Sequence, residues 1–335
     1  MGEERRDESI ADVIGIAGRK KWRVLAAKGA PAFLMLEGGV SGVPERPNRP
    51  NEEGAMLAAA AERIYRGLSA AERDAWPGGV ALALLMLAER SFFPPTASSA
   101  GARREGEGIF RALSEGRYVR VVNFHATPRE FSGGLEEQLS RLARSFAPVS
   151  YEDLRGLLVR GAWPHDRPGV VLNFFDGFRD NHQVAAPILD RLGLTGWFFL
   201  ISGWISSHPQ DQRAFADAHF IDLPYGDHGL PVDSRLALSP EEVRDLADRG
   251  HVIASHTRTH SAAPPDLAPN DLAAQAAGSR QELEEISGTD VRTIAWCEGV
   301  ALGQNGLADV ALRDAGYEIL FANHAVQRVP VVNPG

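Results

Sequence analysis

The sequence predicts an α/β fold, a closed or nearly closed (β/α) barrel behind a small helical N-terminal region. Three observations carry that prediction. From residue 118 onward, short apolar runs of strand length alternate with segments of helical periodicity, the pattern of parallel βα units. Three of the apolar runs end in polar clusters, and the C-terminal ends of strands are where βα folds place their sites. Before residue 106 the alternation is missing, and Pro94 to Gly106, PPTASSAGARREG, is small, polar and unperiodic, as a boundary is. A doubly wound open sheet is the alternative that the same alternation allows.

Residues 1–105 read as a mostly helical region and residues 106–335 as the barrel. In the first part, Met56 to Leu68 is rich in strong helix formers. Ser69 to Glu72 fits a capping box that opens a further helix, and Val80 to Ala88 reads as a buried helix. In the second part, Tyr118 to His125 is the first predicted strand. Leu135, Leu139, Leu142 and Phe146 then fall at helical spacing. Val170 to Phe174 is a buried strand, Ala185 to Leu192 a helix and Thr195 to Ile201 a strand. Ser239, Pro240 and Glu242 supply an N-cap, a proline at the first helical position and a capping-box acid, and that helix is expected to end near Gly250. His251 to Ser255 and Thr293 to Trp296 are strands, with a helix from Asp271 to Ile286 between them. A helix from Gly306 to Ala315 and a strand from Tyr317 to Ala322 close the series.

Composition narrows the function classes. The chain has 335 residues and a net charge of −9; an acidic surface repels phosphate backbones, which argues against nucleic acid as a partner. There is a single cysteine, Cys297, so no intrachain disulfide forms, in keeping with a reducing compartment. The charged N-terminus has no apolar core of a signal peptide, and no apolar stretch is long enough to span a bilayer. The expected location is cytoplasmic. Nothing in the sequence speaks to oligomeric state.

The chemistry lies in the three strand-end clusters. They are Asn173-Phe-Phe-Asp176-Gly177, Ser255-His-Thr-Arg-Thr-His260 and Trp296-Cys-Glu-Gly299. His256 and His260 stand four apart, the spacing of one face of a helical turn. Two imidazoles with a carboxylate are a common hydrolytic metal set. Alone, the pair also reads as surface histidines, and Asp-Gly is an ordinary turn dipeptide. His251, at a strand start, and His125, at a strand end, read as structural. Arg179 and Asp180 are more in keeping with loop hydrogen bonding than with substrate contact. The polar stretch from Ser206 to Arg235, with His208, His219 and His228, reads as an insertion over the barrel mouth.

As a whole, the region resembles the polysaccharide (NodB-type) deacetylases, carbohydrate esterases of the fourth kind. VVLNFFDGFRDNHQVAAPILDRLGLTGWFFLISGWI is similar to the family's first motif with its succeeding helix and strand, and LSPEEVRDLADRGHVIASHTRTH to the run into its histidine motif. VVNFHATP, VSYEDL, GSRQELEEISG, TIAW, LRDAGYEILFAN and RVPV fall in the family's order over about residues 118–332. The resemblance implies an irregular (β/α) barrel of the NodB deacetylase type and removal of acetyl groups from amino sugars with a divalent metal, most often zinc. It implies Asp176, His256 and His260 as the metal ligands. Phe175 stands where the family has its catalytic-base Asp, and Trp296-Cys297-Glu298-Gly299 where it has an aromatic, Pro, Tyr and Gly. The backbone at Glu298 then belongs to the oxyanion hole. His324 is the one nearby histidine in place for the missing Leu-x-His acid.

Those departures set the functional expectation. Either the base has moved from position 175 to Glu298, or the site has been released from catalysis and the barrel is a binding or scaffold module; a lyase or isomerase that uses the metal as Lewis acid is the third reading. The expected enzyme is a metal-dependent amide hydrolase with Glu298 and His324 catalytic and with Phe175, Trp296, Cys297 and Asp180 lining the substrate. The substrate is a soluble small molecule or carbohydrate carrying an N-acyl group.

Overall fold

In a computed structural model of the chain, the described residues are 22–26, 32–37, 119–223, 235–322 and 325–330. Among these, ten strands form one mixed sheet: β1 (Trp22–Ala26), β2 (Ala32–Glu37), β3 (Val119–Phe124), β4 (Ala147–Pro148), β5 (Gly169–Asp176), β6 (Gly196–Leu200), β7 (Val252–Ser255), β8 (Thr293–Ile294), β9 (Ile319–Ala322) and β10 (Ala325–Arg328). The path runs β1-β2-β3-β5-β6-β7-β8-β9-β10, with β4 beside β5. Neighbours are parallel except at the two ends, where β1 pairs β2 and β10 pairs β9 antiparallel. The sheet curls so far that β1 and β10 approach each other. This is the irregular (β/α) barrel that the sequence predicts. No described helix is long and apolar enough to cross a membrane.

The helices are α1 (Ser132–Ser145), α2 (Tyr151–Arg160), α3 (Ala186–Leu192), α4 (Ser202–Ser206), α5 (Gln212–Ala218), α6 (Pro240–Asp248), α7 (Pro269–Ala273), α8 (Ser279–Ser287) and α9 (Gly306–Asp314). α6 begins as its sequence requires: the Ser239 side chain accepts from the Glu242 backbone N–H, and the Glu242 carboxylate accepts from the Ser239 N–H. α2 carries the same capping box through Ser150 and Asp153. α7 and α8 are joined through a π-helical turn at Ala274–Gly278.

Alternation along the strands divides the core in two. Val122, Val170, Leu172, Phe174 and Phe198 pack with Leu135, Leu139 and Leu142 of α1. Val119, Val121, Val171, Trp197, Phe199 and Phe321 fill the other face, where Leu154 and Leu157 of α2 cover them. Burying a large apolar side chain contributes about 1.5–3 kcal/mol, so these rows set the strand register. That register places Phe175 on the same face as Phe199 and Ala254.

Two expectations need correction. Trp22–Ala26 and Ala32–Glu37 fall in the stretch read as a separate, mostly helical region, yet β2 runs parallel to β3 from Phe33↔Val119 to Glu37↔Asn123. The barrel sheet therefore recruits backbone from before residue 106. The predicted helices at Met56 to Leu68, Ser69 to Glu72 and Val80 to Ala88 lie outside the described residues. The polar stretch from Ser206 to Arg235, read as an insertion over the barrel mouth, holds α5 among its described residues, and α5 is fixed to the barrel. Gln212 is fully buried and its side-chain carbonyl accepts from the Leu236 and Ala237 N–H groups at 2.7 and 3.1 Å.

Candidate metal centre

β5 ends at Asp176, β7 at Ser255 and β8 at Ile294, which brings the three polar clusters to one mouth. Strict alternation would send Asp176 to the face opposite Phe175. Asp176 is left-handed at φ 73°, and it meets His256 and His260 on the inner side. Gly177 has φ 93°, and a Cβ there would meet Ile205 Cδ1 at 2.9 Å. The Asp-Gly pair is thus a strand-end reversal that needs its glycine on two counts.

The histidine loop is not the helical turn that its spacing suggests. Thr257 and His260 are both left-handed, at φ 69° and 57°, and side-chain bonds hold the reversal. Gln275 accepts from the Arg258 and Thr259 N–H groups, and Thr257 Oγ1 accepts from the Ser261 N–H. α4 presses against the same loop: the Ser202 and Gly203 N–H groups donate to the Thr257 and Arg258 carbonyls. A Cβ on Gly203 would lie 2.6 Å from the Arg258 carbonyl oxygen. Each left-handed non-glycine residue costs roughly 1–2 kcal/mol, and such residues gather where function demands them. Of the six among the described residues, Asp176, Thr257, His260 and Glu298 lie in the three clusters.

Ligand atoms of Asp176, His256 and His260 all lie within 4.8 Å of one another. His256 Nε2 and His260 Nε2 each stand 3.7 Å from Asp176 Oδ1. The opposite ring nitrogens settle the tautomers. His256 Nδ1 is 2.8 Å from the Ala295 carbonyl and His260 Nδ1 is 2.9 Å from the His219 carbonyl. A carbonyl only accepts, so both Nδ1 atoms carry a proton, and in the neutral imidazole that leaves Nε2 with the lone pair. Burial pushes His256 down to about 4, more than the Asp176 charge pulls it back, so at neutral pH it is an uncharged imidazole rather than an ion-pair partner. Asp176 is 4% exposed and its Oδ1 has no hydrogen-bond donor among the described residues. Acceptors converging with no donor are costly when buried. The same arrangement is what a divalent cation requires, with each imidazole oriented through its second nitrogen.

The other predicted residues divide. The Phe175 ring stacks on Phe199 at 4.9 Å and on His125 at 5.6 Å, and meets His256 edge-on at 5.0 Å. It is half-buried and walls the mouth beside the ligands. Cys297 is half-buried too; burial pushes its thiol up to about 11, with the Asp176 and then the Glu298 carboxylates adding to the rise. Cys297, Asp176 and Glu298 therefore share one corner. Glu298 is exposed and left-handed at φ 60°. Trp296, by contrast, is 1% exposed and packed in the core, which leaves no indole surface for a substrate. Asp180 is buried and accepts from the Thr127 N–H at 2.8 Å and from Asn181, a loop-holding role. His324 lies outside the described residues. His251 is buried, accepts from the Gly196 N–H at 3.2 Å and faces Asp190, a packing role in keeping with its place at a strand start.

Two contributors are not evident in the sequence. His125 is exposed and stacked on Phe175, and its charge is felt at His256. Its place at the end of a predicted strand was the available signal. The His219 carbonyl, from the stretch read as an insertion, orients His260; a main-chain acceptor leaves no mark in sequence.

A polysaccharide deacetylase family model matches residues 163–320. Among solved structures, the chain is similar to the Streptococcus pyogenes deacetylase PplD in complex with acetate, at 16% identity over 64% of this chain and 92% of that one, with a TM-score of 0.48. It is also similar to IcaB from Ammonifex degensii, at 19% identity over 64% and 92% and a TM-score of 0.47. A de-N-acetylase from Aggregatibacter actinomycetemcomitans shares 19% identity over 63% and 90%, with a TM-score of 0.46. No curated protein matches the chain. The matched segment holds Asp176, His256, His260 and the clusters around them, and over these residues the chain is similar to the polysaccharide deacetylase family.

Proposed function

We propose that the protein is a metal-dependent deacetylase that removes an N-acyl group from an amino sugar, with zinc held by Asp176, His256 and His260. The observation that carries this reading is the convergence of the donor-free Asp176 Oδ1 with two imidazole Nε2 atoms whose rings are held in the lone-pair tautomer. Two imidazoles and one carboxylate are a zinc donor set that leaves a position open. Bound there, the cation supplies Lewis acidity and makes water a nucleophile near neutral pH.

The chain's own groups divide the remaining work. The Ala295 and His219 carbonyls hold the two imidazoles in the binding tautomer. Glu298 is the carboxylate at the third strand end and takes the role of base that Phe175 has vacated. Its backbone is held in the left-handed form, and a peptide N–H there is the group that would meet the charge that develops on the carbonyl oxygen. His125, exposed at the mouth, is an imidazole in place to protonate the departing amine; His324 is the alternative donor. Phe175 makes the wall beside His256 apolar, which suits the methyl end of an acetyl group.

A second reading has its own observation. The inner-face position beside Asp176 carries an aromatic ring in place of a carboxylate, as in a barrel that binds a sugar without cutting it. One pair of measurements separates the two. Metal content is compared between protein purified without chelators and its His256→Ala variant, and acetate release from N-acetylglucosamine oligomers is followed with the metal-loaded protein. Equal metal in both proteins would end the metal assignment. Metal without acetate release, unchanged in Glu298→Gln, would leave the binding reading standing.

A further inference from the structure

A cation at this site needs two imidazoles at one fixed separation, and the chain between them is poorly suited to hold it. The His256 and His260 rings stand 5.0 Å apart. Along the backbone that joins them, Thr257 and His260 are left-handed. Positive φ is disfavoured in residues that carry a Cβ, so this loop left to itself would relax. The Ala295 and His219 carbonyls set how each imidazole is turned, not how the backbone between the two is folded.

One side chain from another element bears on that backbone. Gln275 Oε1 accepts from the Arg258 and Thr259 N–H groups at 3.1 and 3.0 Å, and Gln275 Nε2 donates to Thr259 Oγ1 at 2.7 Å. Both ends of one amide are engaged on the segment between the two histidines. Satisfying hydrogen bonds does not require it at Arg258, which is exposed and whose N–H water would serve. Fixing a long side chain also costs rotamer freedom. Gln275 lies in the π-helical turn Ala274–Gly278, and such turns gather at functional sites. The turn is pinned from behind. The buried Tyr317 hydroxyl donates to the Ala276 carbonyl at 3.0 Å. Ser279 Oγ lies 2.8 Å from Ser255 Oγ, which accepts from the Thr257 N–H at 3.0 Å. Glu282, on the same helix face, takes the Arg258 side chain at 2.8 Å rather than the loop backbone.

We infer that Gln275 is a positioning residue for the metal centre, its amide clamping the Arg258–Thr259 backbone so that His256 and His260 meet one cation. The inference rests on the metal-dependent reading. Full-length, metal-free protein is titrated with cobalt and followed by visible absorption, beside Gln275→Met, Gln275→Glu and Glu282→Gln, with the Tm of each metal-free protein read in parallel. Methionine keeps the length of glutamine and removes both polar atoms. A glutamate carboxylate accepts both N–H groups, and the Thr259 hydroxyl turns to donate to it. Expected is a cobalt affinity about 10- to 100-fold weaker in Gln275→Met, the cost of losing a partner that orients a ligand. Gln275→Glu, which keeps the acceptor, stays within about threefold of wild type. Glu282→Gln, which loosens an exposed ion pair on the same face without touching the clamp, stays within about threefold too. Affinity in Gln275→Met within about threefold of wild type would overturn the clamp and leave the metal assignment intact. An equal loss in Glu282→Gln, a failure of Gln275→Glu to restore binding, or a metal-free Gln275→Met that no longer folds would overturn it as well, because the residue would then serve the fold at large. A wild type that takes up no cobalt would end the metal reading and this inference together.

Discussion

On one side of the barrel mouth stand Asp176, His256 and His260, in a frame fixed by several bonds. The two imidazoles lean on carbonyls from different elements, and the loop between them is tied by Gln275, Thr257 and the start of α4. On the other side stand Phe175, Cys297 and Glu298, an aromatic ring, a thiol and an exposed carboxylate, in the places where the resemblance would put a base and an oxyanion-hole motif. The first side is a candidate ligand set, and such a set works only with every atom in place. The second side is specified partly by backbone, and a backbone N–H survives a change of side chain. One fold thus holds a closely determined half-site and a rewritten one.

The comparison breaks most visibly at Asp176. Asp176→Asn keeps the size and removes the charge, and is expected to weaken zinc or cobalt binding by more than about 100-fold, beyond what loss of an outer-shell partner costs. Titration followed by cobalt absorption checks it, and affinity within about tenfold of wild type would show that the carboxylate is not a ligand. Glu298→Gln tests the rewritten half: turnover falls by about 100-fold at constant metal content if the base resides there. Phe175→Asp restores the family's residue, and is expected to add little turnover, because the ring is built into a stack with Phe199 and His125. A large gain would mean that the base never moved. Phe175→Ala reads the same stack as stability. Removing a half-buried ring is expected to cost about 2–3 kcal/mol, under the roughly 3–5 kcal/mol of a fully buried one, seen as a lower urea midpoint. The smallest effect concerns Cys297. With its thiol raised to about 11, it stays protonated at about pH 8, so alkylation by iodoacetamide is slower than for an exposed thiol and speeds up as pH climbs toward that value.

Much of the fold was legible because its signals are local. Capping chemistry at Ser239 and Glu242 fixed the start of α6, and mostly apolar runs marked β3, β5 and β6, as in parallel strands buried on both faces. The candidate ligands were legible as residue types at strand ends. The reversals that bring them together were not: spacing suggested a helical turn at His256 to His260, whereas the left-handed Thr257 and His260 make an irregular loop. The burial of Trp296 was hidden because an aromatic residue at a strand end reads alike as wall or as core. β1, β2 and the anchoring of α5 depend on partners far along the chain, and periodicity within a short window does not report them.

The hairpin of β1 and β2 has a consequence for where this protein can be cut. Residues 33–37 supply the hydrogen-bonding neighbour of β3, so a fragment beginning at residue 106 starts with β3 as a bare edge. Unpaired edge backbone is a template for another chain. Such a fragment is expected to recruit a second copy along β3 and to elute from a sizing column as dimers or larger species, whereas the same fragment mixed with a peptide covering residues 20–39 regains a monomer. In this protein the hairpin acts as an edge guard, shielding from other chains a strand that lies far further along its own.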